Sequence, residues 1–122
     1  MEGNNILKKS IDVKDKYKER YWSVVFNHAR IDVTIRTVKN NMMGFSVNLS
    51  LLEDDGRFDI IRWDTSHWFL HKHEFWRTHR TIKVKQYLEM PLDLAFGEVY
   101  ADIKRNWMKY IERWRNARKN PG

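Results

Sequence analysis

At 122 residues the chain is the size of one domain, large enough to bury a single hydrophobic core without a covalent staple. It contains no cysteine, which excludes disulfides and thiolate-held zinc or iron–sulfur centres within this chain. Its formal charge of +7 is uneven: seven basic residues face one Glu from Lys104 to Lys119 and five face one from His71 to Lys85, while Arg30 to Leu70 is near neutral. Such an excess concentrates polyanions and steers nucleic acid, so RNA is a candidate partner. No apolar run approaches the ~20 residues of a membrane span, and the N-terminus, with Lys8-Lys9 behind Asn4-Asn5, has no secretory h-region. A soluble, cytoplasmic protein is the expectation.

No repeat, low-complexity tract or Pro/Gly-rich linker divides the chain, so residues 1–122 read as one domain, with 1–15 expected to be flexible. Trp22 to Phe26 is β-branched and aromatic and reads as a strand, with Asn27 to Arg30 as its turn, although Tyr17, Tyr21, Val24 and His28 also fit helical spacing. Ile31 to Arg36 alternates apolar and polar residues, and Lys39-Asn40-Asn41 supplies turn residues that tolerate left-handed backbone. Phe45 to Leu51 is apolar at every odd position, the period of a strand with one wet face. Glu53-Asp54-Asp55-Gly56 ends in Asp-Gly, a strong hairpin signal, and Arg57 to Asp64 is the return strand. Here the parity breaks: with Phe58 and Ile60 inward, Arg62 and Asp64 would also point inward. Either a bulge near Ile61 resets the phase, or the two charges enter the protein as a pair.

The segment from Arg62 to His73 holds three of the five histidines, an Asp and an Arg in twelve positions. Histidine exchanges protons near neutral pH and is the commonest metal ligand. In an extended chain His67, His71 and His73 share one face with Phe69 and Phe75, so the three imidazoles could hold a divalent transition metal such as zinc. Asp64 or His79 would then be a fourth ligand or the group that orients a ring. A metal-free reading needs no cofactor. His71 and His73 act as acid and base, Asp64 orients His67, and Arg62, Lys72, Arg77 or Arg80 holds phosphate, which suffices for RNA cleavage through the 2′-hydroxyl. Trp63, Trp68 and Trp76 could stack on bases, but core packing is the favoured role for each. His28 and His79 read as hydrogen-bonded structural residues.

Pro91 and Asp93 mark a helix start, with Asp93 a candidate N-cap. Phe96, Tyr100, Ile103, Trp107, Tyr110, Ile111 and Trp114 recur at three- and four-residue steps, predicting one amphipathic helix over about 93–118. Its aromatic stripe must cover the sheet or pair with another subunit. The expected fold is α+β: an antiparallel β-meander of about four to five strands, within about 20–75, packed against a long C-terminal helix.

The run Arg62-Trp63-Asp64-Thr65-Ser66-His67, followed by His71-Lys72-His73, resembles the core of some small prokaryotic proteins. In these, Arg, an aromatic residue, Asp, Thr or Asn, any residue and His precede a His-x-His pair. They include TumE-like toxins of toxin–antitoxin pairs and related families of unknown function. Asp102-Ile103-Lys104-Arg105-Asn106-Trp107 is similar to their closing helix. The resemblance implies a compact α+β cytoplasmic protein partnered by an antitoxin, and it points to Arg62, Asp64, His67, His71 and His73. The Trp68-Phe69-Leu70 insert and the basic Arg77–Lys85 tract depart from the pattern.

Two functional classes therefore stand at the level of sequence. One is a toxin-like enzyme acting on RNA, a ribonuclease-like hydrolase or phosphotransferase. The other is a non-catalytic nucleic-acid- or protein-binding module, a homodimer among its forms, that uses Arg113, Arg115 and Arg118 on the basic helix.

Overall fold

The computed structural model describes residues 17–65, 70–77, 81–83 and 89–119, without the side chains of 17 and 81–83. The expectation for residues 1–15 lies outside these residues. Among the described residues, six antiparallel strands run in sequence order across one sheet, β1 (Tyr17–Phe26), β2 (Ala29–Val38), β3 (Asn41–Glu53), β4 (Gly56–Asp64), β5 (His71–Glu74) and β6 (Thr81–Lys83), and one helix, α1 (Leu92–Lys119), follows. This is the expected α+β meander, extended by the three-residue β6.

The strands form where the sequence alternates, and the turns where it supplies left-handed backbone. Asn27 (φ 53°) opens a two-residue turn that is shorter than expected, because Phe26 already pairs with Ala29. Lys39 (φ 51°) and Asn40 (φ 68°) are both left-handed, the geometry that matches the twist of a tight hairpin. Glu53 pairs with Gly56 around Asp54-Asp55.

One sheet face is apolar and lies under α1. Ile31, Val33, Phe45, Val47, Leu49, Ile61 and Trp63 meet Ala95, Val99, Ile103, Ile111 and Trp114 in a single core. Aromatic edges lock the two layers: Trp22 against Phe96 and Tyr100, Phe45 against Phe96, Phe26 against Trp107 and Phe58 against Trp114. Each fully buried large side chain contributes about 1.5–3 kcal/mol, so this interface carries most of the stability. The helical stripe thus covers the sheet. Asp93 lies in the first turn rather than at the cap, where its carboxylate accepts a hydrogen bond from Leu94 N.

Two irregularities shape the helix and the sheet. Asn106 has non-helical backbone (φ −117°, ψ 16°) and kinks α1. The side chains of Asn106 and Tyr110 both donate to Asp102 across the kink. Burial and the Asp102 carboxylate raise the Tyr110 phenol well above its ordinary pKa. In the sheet, the β3–β4 register shifts between Leu49 and Ser50: Leu49 pairs with Ile61 and Ser50 with Asp59, leaving Ile60 as the extra residue. Ile60 and Ile61 are both fully buried. Of the two outcomes the parity break left open, this is the bulge, and it turns Arg62 and Asp64 away from α1.

The face opposite α1 is polar. Asp32 accepts hydrogen bonds from Tyr21 (2.6 Å), Ser23 (2.6 Å), Arg30 (2.9 Å) and Arg57 (3.0 Å). Arg62 donates to Asn48 (3.1 Å) and lies 3.4 Å from Asp59, so its ion-pair partner is Asp59 and not Asp64. Burial alone would raise the pKa of Asp32, but the hydrogen bonds from Ser23, Tyr21 and Arg30, with the Arg30 charge, outweigh it and hold the pKa below the ordinary value. A lowered folded pKa stabilises above the unfolded value and is lost as pH falls through the folded one. Asp32→Asn is therefore expected to cost about 2 kcal/mol at pH 7, with the gap narrowing below the unfolded value of 3.8. Urea unfolding at pH 7 and pH 3 measures this, and an equal deficit at both would contradict the account.

Candidate functional site

The end of β4 and the start of β5 bring a carboxylate and two imidazoles together on the polar face. Asp64 pairs directly with His71 across the strands, and Arg62 pairs with His73. Directly opposed residues have Cβ atoms about 5 Å apart and diagonal ones about 7–8 Å, so a long imidazole on His73 can still reach Asp64. His71 Nε2 lies 2.9 Å from Asp64 Oδ1 and His73 Nε2 lies 3.2 Å from Asp64 Oδ2. The ring centroids are 4.9 Å apart. One donor atom from each of the three residues falls within 4.8 Å of the others, so a single metal ion could take all three as ligands.

Neighbouring residues hold this arrangement. Past Asp64, Thr65 N donates to Phe45 O (3.1 Å) and Thr65 Oγ1 accepts from Phe45 N (2.9 Å), pinning the strand end to β3. Phe75 stacks on His73 at 6.2 Å and carries the Arg62 guanidinium 5.3 Å from its ring centroid. His71 is 3% exposed, while the side chain of His73 is 22% exposed. Burial lowers the His73 pKa below its ordinary value against the opposing pull of Asp64, with His71 and Arg62 also pushing it down.

Gly44 sits opposite Arg36 on β2 and beside Thr65 at the end of β4. A Cβ there would meet Arg36 Nη2 at 2.9 Å and Thr65 Oγ1 at 3.0 Å. The glycine leaves room for the end of the Arg36 side chain and for Thr65 Oγ1.

The expected site residues divide sharply. Arg62, Asp64, His71 and His73 are brought together. His67 and Arg80 lie outside the described residues, as do Trp68, Phe69 and His79, so the expectation that Asp64 orients His67 does too; Asp64 engages His71 and His73. Lys72 and Arg77 do not reach the imidazoles. Strand alternation turns Lys72 to the helix side, where it sits 5.1 Å over the Trp63 ring and 3.1 Å from Glu74, and Arg77 pairs with the same Glu74. Trp63 is buried in the core and Trp76 stacks on Tyr110, the packing roles favoured for them. On α1, Arg115 pairs with Glu53 at 3.3 Å and Arg118 covers the rings of Phe58 and Trp114, while Arg113 is exposed. His28 is exposed at the β1–β2 turn, at the opposite end of the strands from Asp64.

Sequence reasoning missed Glu74, which is 2% exposed, and the Gly44–Arg36–Thr65 contact. The signal for Glu74 was available: the parity that puts His71 and His73 on one face puts Lys72 and Glu74 on the other.

These features define an α+β domain with one antiparallel sheet, covered on one face by a kinked helix and bearing a His–His–carboxylate centre on the other. Among the described residues no helix is long and apolar enough to cross a membrane. The chain belongs to the family described as Domain of unknown function (DUF7718), whose model matches residues 13–120. No curated protein and no solved structure matches the chain.

If Gly44 serves close approach, Gly44→Ala must displace Arg36 and strain the Thr65 tether, at an expected cost of about 1–3 kcal/mol. Thermal unfolding of this variant beside Gly97→Ala, where an added Cβ meets nothing within 4 Å, checks it; equal effects would remove the contact from the account.

Proposed function

We propose that the chain is a toxin-like enzyme that cleaves RNA, with Asp64, His71 and His73 as its reactive centre and Arg62 as the cation beside it. The observation that carries this reading is the convergence of two imidazoles on one carboxylate, at a strand end, with a guanidinium paired across from His73. Phosphodiester cleavage needs a group that activates a nucleophile and a cation that meets the charge growing on phosphorus. The centre supplies the first and Arg62 the second.

The geometry redraws the division of labour expected between the histidines. Both Nε2 atoms address Asp64, and His71 is buried. A buried ring does not exchange protons with a large substrate, so His71 holds Asp64 while the more exposed His73 faces the reaction. The choice of RNA is supported by the +7 charge and by the exposed Lys104, Arg105, Lys109 and Arg113 on α1. The cytoplasmic setting and an antitoxin partner follow from the toxin resemblance.

A second reading, a non-catalytic binding module, draws on the far end of the molecule. There a cleft of about 510 Å³ runs between the β1–β2 turn and the last turns of α1, lined by His28, Trp107, Ile111 and Arg115, with Met108 66% exposed at its edge. A protein partner or a second copy of the chain would dock there without using the histidines.

Asp64→Asn and His73→Ala separate the two. Under the enzymatic reading, each is expected to reduce cleavage of single-stranded RNA by about 10²-fold or more, with RNA affinity and circular dichroism unchanged. Cleavage undiminished in both variants, or none by the parent chain, would rule it out.

A further inference from the structure

We infer that Asp64, His71 and His73 form a binding site for one divalent transition-metal ion of the zinc class. The inference uses the same centre as the RNA reading but does not require RNA to be the substrate.

The argument begins with the strand. His-x-His on β5 projects both imidazoles to one face, and cross-strand pairing sets the Asp64 carboxylate directly opposite the first of them. All three ligands thus come from paired strands, with β5 also flanked by β6, and none from a turn. A site assembled on hydrogen-bonded strands is organised before the ion arrives, which removes much of the ordering cost of binding.

The spacing fits. At zinc–nitrogen distances of 2.0–2.1 Å, tetrahedral ligand atoms lie about 3.3 Å apart. His71 Nε2 lies 2.9 Å from one carboxylate oxygen and His73 Nε2 3.2 Å from the other, and one ligand atom from each residue lies within 4.8 Å of the others. An ion entering between them would take the two Nε2 atoms and a carboxylate oxygen as ligands. The carboxylate would offset one unit of the ion's charge.

The donor set selects the class of ion. Two imidazole nitrogens with one carboxylate oxygen suit zinc, iron, nickel and cobalt, whereas magnesium and calcium prefer all-oxygen sites. Three protein ligands is also the number that catalytic zinc sites use. Burial of His71 places one ligand in low dielectric, and stacking of Phe75 on His73 fixes the orientation of another. Both features favour a bound ion over free rotation of the rings.

The test uses the full chain, purified without a polyhistidine tag, stripped by chelator and titrated calorimetrically with zinc(II) alone; cobalt(II) in a parallel titration reports coordination by its visible absorption. One equivalent is expected. Asp64→Asn and His73→Ala are each expected to weaken binding about 100-fold or more, and His28→Ala, at the far turn, to leave it unchanged. Circular dichroism of each variant confirms that it folds, and His73→Gln serves if His73→Ala does not. Substoichiometric zinc with the parent chain, or undiminished affinity in Asp64→Asn and the folded His73 variant, would overturn the site. RNA cleavage lost in both variants while zinc binds substoichiometrically overturns the metal and leaves the RNA reading; a stoichiometric ion without RNA cleavage does the reverse.

Discussion

One extra residue in β4 decides what each face of this molecule contains. Ile60 opposes nothing on β3, and the strand resumes its alternation one position later. Phe58, Ile61 and Trp63 can then all serve the core beneath α1, while Asp59, Arg62 and Asp64 meet Asn48 and the histidines on the other side. Strict alternation from Phe58 would drive two charges under an aromatic helix, where unpaired ions cost several kcal/mol each. The bulge avoids that cost and delivers a carboxylate to the sheet's polar face. Bulges commonly re-aim side chains in this way beside functional sites.

The same alternation separates two sets of ionisable residues in a strand of only four. On one face of β5, His71 and His73 turn to Asp64. On the other, Glu74 is buried beside Lys72 and Arg77, and Lys72 covers Trp63. The carboxylate of Glu74 is thus neutralised on the helix side and kept away from the imidazoles. A strand with HKHE reads as a single polar cluster in one dimension, but pleating makes it two sites with different work.

Much of the fold was legible because hydrophobic period and turn chemistry agreed along β2, β3, β4 and α1. The strand at Trp22 was legible only against a competing helical spacing, and pairing with β2 settled it. The three residues of β6 carried too little pattern to be seen. For the site, Asp64, His71 and His73 could be named from composition and spacing, since few packing segments concentrate those types. Their actual geometry could not, because it depends on β4–β5 register and on the position of one bulge. The pairing of Lys72 and Arg77 with Glu74 was hidden for the converse reason: proximity in sequence to a histidine says nothing about side of the sheet. Arg36 was invisible, as its contact depends on the β2–β3 register that sets Gly44 opposite it.

The bend at Asn106 has a mechanical consequence. A straight 28-residue rod would be about 42 Å long and would lie tangent to a twisted surface along only part of its span. Broken in the middle, α1 lays Phe96 and Tyr100 along Trp22 and Phe45 with one segment, and Trp114 along Phe58 with the other. Asp102 acts as a strap, gripping Asn106 and Tyr110 where the backbone ladder is interrupted. The cover is thus jointed like a folding rule, with one carboxylate bridging the joint.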